Sequence, residues 1–136
     1  ISIRGEKMDK DQIIKDILEL REENMACAPS TLIGVCRNID CDLTEEELAL
    51  LSSGFGGGIG GNTEPGTCGA IAGVTIALGL KLDDAGKIKE ISKIIFDDFK
   101  KEFGFVECNK LTDNGDDKTH CTGYCEFVGE RFVDLV

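Results

Sequence analysis

Apolar positions along this chain recur at helical spacing, and no segment alternates convincingly as a strand would. From Asp9 to Glu23, Ile13, Ile14, Ile17, Leu18 and Leu20 form one broad face, with acids crowding the first turn where the helix dipole favours them. In "ENMACAPSTLIGVC", Pro29 suits the first turn of a second helix running to about Val35 or Cys36, which places Cys27 at or just before its start. The third helix carries its own punctuation. Thr44 is an N-cap, Glu47 completes a capping box, and Leu43 and Leu48 are spaced as a hydrophobic staple. Leu48, Leu50 and Leu51 are expected to face inward, with the helix ending at Ser53-Gly54 through a left-handed glycine.

A glycine-rich segment follows, and Thr67 is expected to cap a fourth helix over about Cys68–Leu80. Asp83 and Asp84 start a fifth, striped by Ile88, Ile91, Ile95 and Phe99, with Ile94 and Phe103 beside them, and Gly104 stops it. The last helix begins near Cys121 and carries Cys125, Val128, Phe132 and Leu135 on one face. The pattern predicts an all-α protein, a compact bundle of about five or six short helices with a Gly-rich loop before the fourth.

Length adds that one domain suffices: 136 residues can bury a core without disulfides. Met8 reads as a native start, with residues 1–7 as upstream or cloning-derived sequence. The uncharged run Pro65 to Leu80, as long as any in the chain, is too short and too Gly-broken for a membrane span, which needs about 20 residues. A net charge of −11 argues against nucleic acid and anionic membranes as partners. Seven cysteines, an odd count with no export signal, point to a reducing cytoplasm and to metal binding or thiol chemistry more than to structural bridges. Any one of them could be a small buried hydrophobe, but seven such residues would be unusual.

Gly56, Gly58 and Gly61 match G-x-G-x-x-G. The dinucleotide fingerprint, however, needs a preceding strand and a helix opening within it, and neither is expected here. What remains is glycine's access to positive φ and its tolerance of close approach. Gly56, Gly57, Gly58, Gly60 and Gly61 could form a nest of N–H groups that admits a cofactor, a thiolate or sulfide beside Cys68. Phe55 and Ile59 among the glycines favour an ordered loop over a linker. Cys68, at a helix start, is the candidate redox thiol, with its pKa expected to fall there. Gly69 and Gly73, four apart, offer a smooth face to a partner helix.

The segment "GFGGGIGG…GTCGAIAGVTIALGL" resembles the redox-active protein family known as C_GCAxxG_C_C, characterised by a CGAxxG motif among four cysteines; "CGAIAG", Cys68 to Gly73, carries the motif. "MACAPSTLIGV" offers the first cysteine, Cys27, "FKKEFGFVECNKL" the third, Cys108, and "CEFVGERFVDLV" the fourth, Cys125. Cys121 is the substitute for Cys125, and no role carries over to Cys36, Cys41 or Cys121. The resemblance spans nearly all of residues 8–136, read as one four-cysteine redox-type domain. It implies a redox or metal function. A related domain occurs with an iron–sulfur cluster in a split-Soret cytochrome, although no C-x-x-C-H is present here for haem.

On that resemblance, Cys27, Cys68, Cys108 and Cys125 are expected to converge and hold an iron–sulfur cluster, or zinc, for electron transfer with an oxidoreductase partner. The alternatives are metal-free thiol–disulfide chemistry led by Cys68, and a non-catalytic accessory module of a larger oxidoreductase whose acids steer docking. Oligomeric state and enzymatic status stay open. His120, the only histidine, is expected to be solvent-exposed.

Overall fold

A computed structural model describes residues 8–62 and 64–136, so the reading of residues 1–7 as upstream sequence lies outside the described residues. It is all-α. The helices in order are α1 (Lys10–Glu22), α2 (Cys27–Cys36), α3 (Glu45–Ser52), α4 (Gly69–Lys81), α5 (Ala85–Phe103), α6 (Cys108–Leu111) and α7 (Cys121–Leu135). Two short 3-10 turns, Ser53–Phe55 and Ile59–Gly61, lie between α3 and α4. Among the described residues the one extended pairing is a single antiparallel bridge, Thr67 with Glu107. No helix among them is long and apolar enough to cross a membrane.

Helix α2 is the hub. It is buried from Ala28 through Cys36, and its most extensive partner is α4, followed by α1. Close packing depends on small residues at the contacts. A Cβ on Gly73 would lie 2.5 Å from the Ala28 carbonyl oxygen, and one on Gly69 would lie 3.1 Å from the Ala28 nitrogen. Only glycine lets the two backbones approach so closely. On the other side of α2, the fully buried Ile17 of α1 fits between Gly34 of α2 and Gly129 of α7, where any added Cβ would strike its side chain.

Helix α5 joins through Ile91, Ile95 and Phe99. Its C-terminal aromatics meet α7: the Phe99 and Phe103 rings lie 5.5 and 4.8 Å from Tyr124, and 6.0 and 5.2 Å from Phe127. Gly104 then ends α5 in the left-handed conformation, at φ 87°. The Thr44–Glu47 capping box forms as expected.

Three local expectations are corrected. Of the α3 leucines only Leu48 is buried; Leu50 and Leu51 are 71% and 51% exposed, because this short edge helix buries one i, i+4 row, Leu48 and Ser52. Gly54 does not terminate α3 in a left-handed conformation; the Ser53 cap stays right-handed and runs on into the 3-10 turn. The glycine segment is folded, with positive φ at Gly57, Gly58, Gly60 and Gly61, yet Ile59 is exposed rather than anchoring it. What orders the loop is backbone contact: Gly66 N donates to Asn62 O (2.9 Å), and a Cβ on Gly58 would stand 2.5 Å from that same oxygen.

The α2–α4 contact sets a sharp expectation. Gly to Ala in a helix interior normally stabilises by about 0.5–1 kcal/mol. At Gly73 the overpacking cost of about 1–3 kcal/mol should win. At Gly79 of the same helix, where nothing lies within 4 Å, the propensity gain should show. Urea midpoints should therefore fall for Gly73→Ala and rise for Gly79→Ala; equal shifts would mean the backbones are not in contact.

Candidate functional site

Four cysteines from four separate segments line one cavity of about 190 Å³: Cys27, Cys68, Cys108 and Cys121. Each stands at a helix N-terminus. Cys27, Cys108 and Cys121 are the first residues of α2, α6 and α7, and Cys68 is the N-cap of α4. The rest of the lining includes Arg21, Lys118, Gly57 and Tyr124.

Specific contacts hold each thiol in place. The Gly69–Gly73 contact with Ala28 sets the starts of α2 and α4 side by side, which brings Cys27 and Cys68 together. The Thr67–Glu107 bridge does the same for Cys68 and Cys108: Cys68 N donates to Val106 O and Cys108 N to Gly66 O, both at 2.8 Å. Asn109 Nδ2 donates to Glu64 Oε2 at 2.8 Å, a second tie between the same segments. Tyr124 Oη donates to Leu111 O at 3.1 Å, fixing α7 and hence Cys121 against the short helix of Cys108.

The bridge also explains why Thr67 is not the cap of α4. Its backbone is committed to pairing with Glu107, so the helix starts one residue later and Cys68 takes the cap position. No side-chain hydrogen bond caps this helix, although the Ala70 and Ile71 N–H groups favour the Cys68 thiolate.

Capping divides the helices into two groups. Helices α1, α3 and α5 are capped by the side chains of Asp9, Thr44 and Asp84. Helices α2, α4, α6 and α7, which bring their N-termini to the cavity, have no side-chain cap and no acid in the first turn. A helix start left so bare presents unpaired N–H groups and positive dipole to whatever it faces. Here each begins at a cysteine. Arg21 and Lys118 add full positive charge: Arg21 favours the thiolates of Cys27 and Cys121, and Lys118 those of Cys108 and Cys121. Arg21 is held in place by Met25 O (2.6 Å) and Thr122 Oγ1 (3.3 Å).

Burial opposes ionisation. Cys68, 5% exposed, has its thiol pushed up to about 12, first by desolvation and then by Cys27 and Cys108 beside it. This corrects the expectation of a depressed pKa, because the helix-start contribution is outweighed by loss of water. Cys27 hydrogen-bonds with Cys121, which favours its thiolate, but the Cys125 contact and burial prevail and raise it to about 12. Cys121 is raised by that same bond with Cys27 and by burial. Cys108 is raised by burial, with Thr112 and Lys118 working against the rise.

Cys125 does not line the cavity. It lies one turn into α7, fully buried, with Sγ 3.8 Å from Cys27 O. The cavity thus holds Cys121 at the wall, with Cys125 packed behind Cys27. Of the glycines considered for cofactor binding, Gly57 lines the cavity; Gly56, Gly58, Gly60 and Gly61 do not. His120 is exposed, at the cap position of α7. Arg21, Lys118 and Tyr124 went unread in the sequence. Two cations flanking cysteine segments, Arg21 before Cys27 and Lys118 before Cys121, in a chain of net charge −11, were the available signal.

The donor set is all thiol, with no imidazole or carboxylate in the lining, which fits a thiophilic group and not Mg²⁺ or Ca²⁺. Among the described residues no group of three or more His, Cys, Asp or Glu is set closely enough to hold a metal ion as it stands. The sulfurs ring a space instead of meeting at a point.

Fold and site together define an all-α protein with a multi-thiol cavity at converging helix starts. Residues 25–135 match the family described as "Putative redox-active protein (C_GCAxxG_C_C)", and the chain belongs to that family. The description writes its central motif with glycine before cysteine; here Cys68 precedes Gly69, while Ala70 and Gly73 keep the stated order. Neither curated proteins nor solved structures gave a match.

Raised thiols make the metal-free, reduced protein sensitive to alkali. Cys27, Cys36 and Cys68 stand near 12 in the fold, against about 8.5 for a free thiol. The folded state keeps protons that the unfolded chain releases, so this stability is complete below about pH 8.5 and is lost as pH rises toward 12. Chemical denaturation in that window should show stability falling with pH, less steeply in Cys68→Ser. A flat profile would contradict buried, protonated thiols.

Proposed function

We propose that the protein binds an iron–sulfur cluster or another thiophilic metal centre through Cys27, Cys68, Cys108 and Cys121, and works as an electron-transfer protein. The observation that carries this is the ring of four thiols around about 190 Å³ of space. One water needs only about 10–15 Å³ of such volume, so the cavity suits a group of several atoms better than a single ion. Bound there, a cluster would supply one-electron chemistry. The chain's own part is to give up the thiol protons and to set four uncapped helix starts and two cations against the resulting negative charge. An acidic surface, with net charge −11, suits docking to a basic face of a partner oxidoreductase. Seven free thiols suit a reducing compartment such as the cytoplasm.

A second reading, metal-free thiol–disulfide exchange, draws support from the hydrogen bonds that Cys27 shares with Cys121 and Cys125. Anaerobic reconstitution with iron and sulfide separates the two. We expect a visible chromophore with iron and sulfide bound, lost in Cys27→Ser, Cys68→Ser, Cys108→Ser and Cys121→Ser, and retained in Cys125→Ser. A protein that stays colourless with iron, sulfide and zinc, yet reversibly loses two alkylatable thiols on oxidation, would replace the first reading by the second. Loss of the chromophore in Cys125→Ser but not in Cys121→Ser would reverse the ligand assignment.

A further inference from the structure

Two cysteines lie apart from the cavity and outside the family's four-cysteine pattern. Cys36 ends α2 and Cys41 follows in the turn to α3. They sit at the far end of α2 from Cys27, roughly 14 Å away at 1.5 Å per residue. Neither lines the cavity.

The turn between them is built to bring the thiols together. After Cys36 the chain tightens through Arg37 N to Ile33 O (2.9 Å), Asn38 N to Val35 O (2.9 Å) and Ile39 N to Cys36 O (3.4 Å). Asn38 Nδ2 donates to Gly34 O (3.0 Å) and to Asp16 Oδ2 (2.8 Å), pinning the turn to α1 and α2. Arg37 forks onto both carboxylate oxygens of Glu45 (2.7 and 3.0 Å), pinning it to α3. Held on both sides, the turn folds Cys41 back toward Cys36, near enough for the two thiols to act on each other. Both pack on the same apolar core. Their exposure differs: Cys36 is buried, while Cys41 is half-exposed.

We propose that Cys36 and Cys41 are a second redox site, a dithiol that small-molecule disulfides oxidise to an intramolecular disulfide independently of the cavity. The half-exposed Cys41 sulfur, as thiolate, attacks the disulfide RSSR; an S–S bond forms to Cys41 and one RS⁻ leaves, taking a proton to become RSH. Cys36, shielded from the external disulfide but in contact with Cys41, then loses its proton and displaces the second RS⁻ from Cys41. The balance is two protein thiols and one RSSR giving one protein disulfide and two RSH. The turn supplies what exchange in a short loop needs, namely two neighbouring sulfurs on a backbone that hydrogen bonds hold in place.

Asp40 and Asp42 flank Cys41, so a neutral probe is preferable to an anionic one. The reduced, metal-free full chain would be equilibrated anaerobically with graded ratios of hydroxyethyl disulfide to mercaptoethanol, acid-quenched, alkylated and digested. Trypsin cuts after Arg37 and so separates the two cysteines, but the same two peptides carry Cys27 and Cys68. Fragment-ion sequencing of the cross-linked pair assigns the bond in the wild type, and Cys27→Ser and Cys68→Ser remove the two ambiguous partners.

The expected result is joint loss of alkylation at Cys36 and Cys41 with a direct bond between them. Cys41→Ser should leave Cys36 alkylatable at the same ratios, and Cys36→Ser should halt at a mixed disulfide on Cys41. Full alkylation of Cys36 at every ratio, or a bond from Cys36 or Cys41 to any other cysteine, would overturn the proposal. Cys36→Ser and Cys41→Ser should take up iron and sulfide as the wild type does, which separates this site from the cavity. If both variants lose that uptake, the two sites are coupled and the independence proposed here is wrong.

Discussion

The contact between Ala28 and the Gly69–Gly73 face is the constraint on which the site depends. It lets the starts of α2 and α4 approach closely, so Cys27 and Cys68 reach one space from segments about forty residues apart in the chain. A single methyl group at Gly73 would have to displace the Ala28 carbonyl, and the register of the two helix starts would move with it. The remaining cysteines are brought to that same point by weaker means. The two-bond bridge at Thr67–Glu107 ties Cys108 to Cys68, and the Tyr124–Leu111 bond with the aromatic cluster ties Cys121 to Cys108.

Bringing four helix starts together is electrostatically unfavourable unless something negative sits among them. The other long helices satisfy their first turns with Asp9, Thr44 and Asp84. The helices at the cavity leave theirs to cysteines, and Arg21 and Lys118 add to the same sign of potential. Buried thiols that resist ionisation stand against this positive field. A cationic centre bound there, as proposed above, would remove the conflict by making the thiolates favourable. The Cys36–Cys41 pair lies apart from this field, in its own turn at the other end of α2.

Helix boundaries were legible wherever local chemistry sets them, as at Thr44 with Glu47, at Asp84 and at Gly104. The start of α4 was misread by one residue, because pairing of Thr67 with Glu107 is a contact across forty residues that no local pattern announces. Leu50 and Leu51 read as core because leucine in a capped helix usually is; their exposure follows from the edge position of α3. The cysteines of the cavity were legible as chemistry but not as depth. Cys121 and Cys125 share one helix face, and only the packed structure distinguishes the wall from the layer behind it. The lowered pKa expected for Cys68 failed for the same reason, since a helix start can be read from sequence and its burial cannot.

Cobalt(II) titration of the reduced, metal-free protein, with absorption and proton release followed together, tests most directly whether the four helix-start thiols act as one donor set. Convergence predicts thiolate-to-cobalt charge-transfer bands that saturate at a single equivalent, with proton release tracking the bands, and both reduced in Cys27→Ser and Cys121→Ser. Saturation without charge-transfer intensity, or a titration unaffected by either substitution, would contradict it.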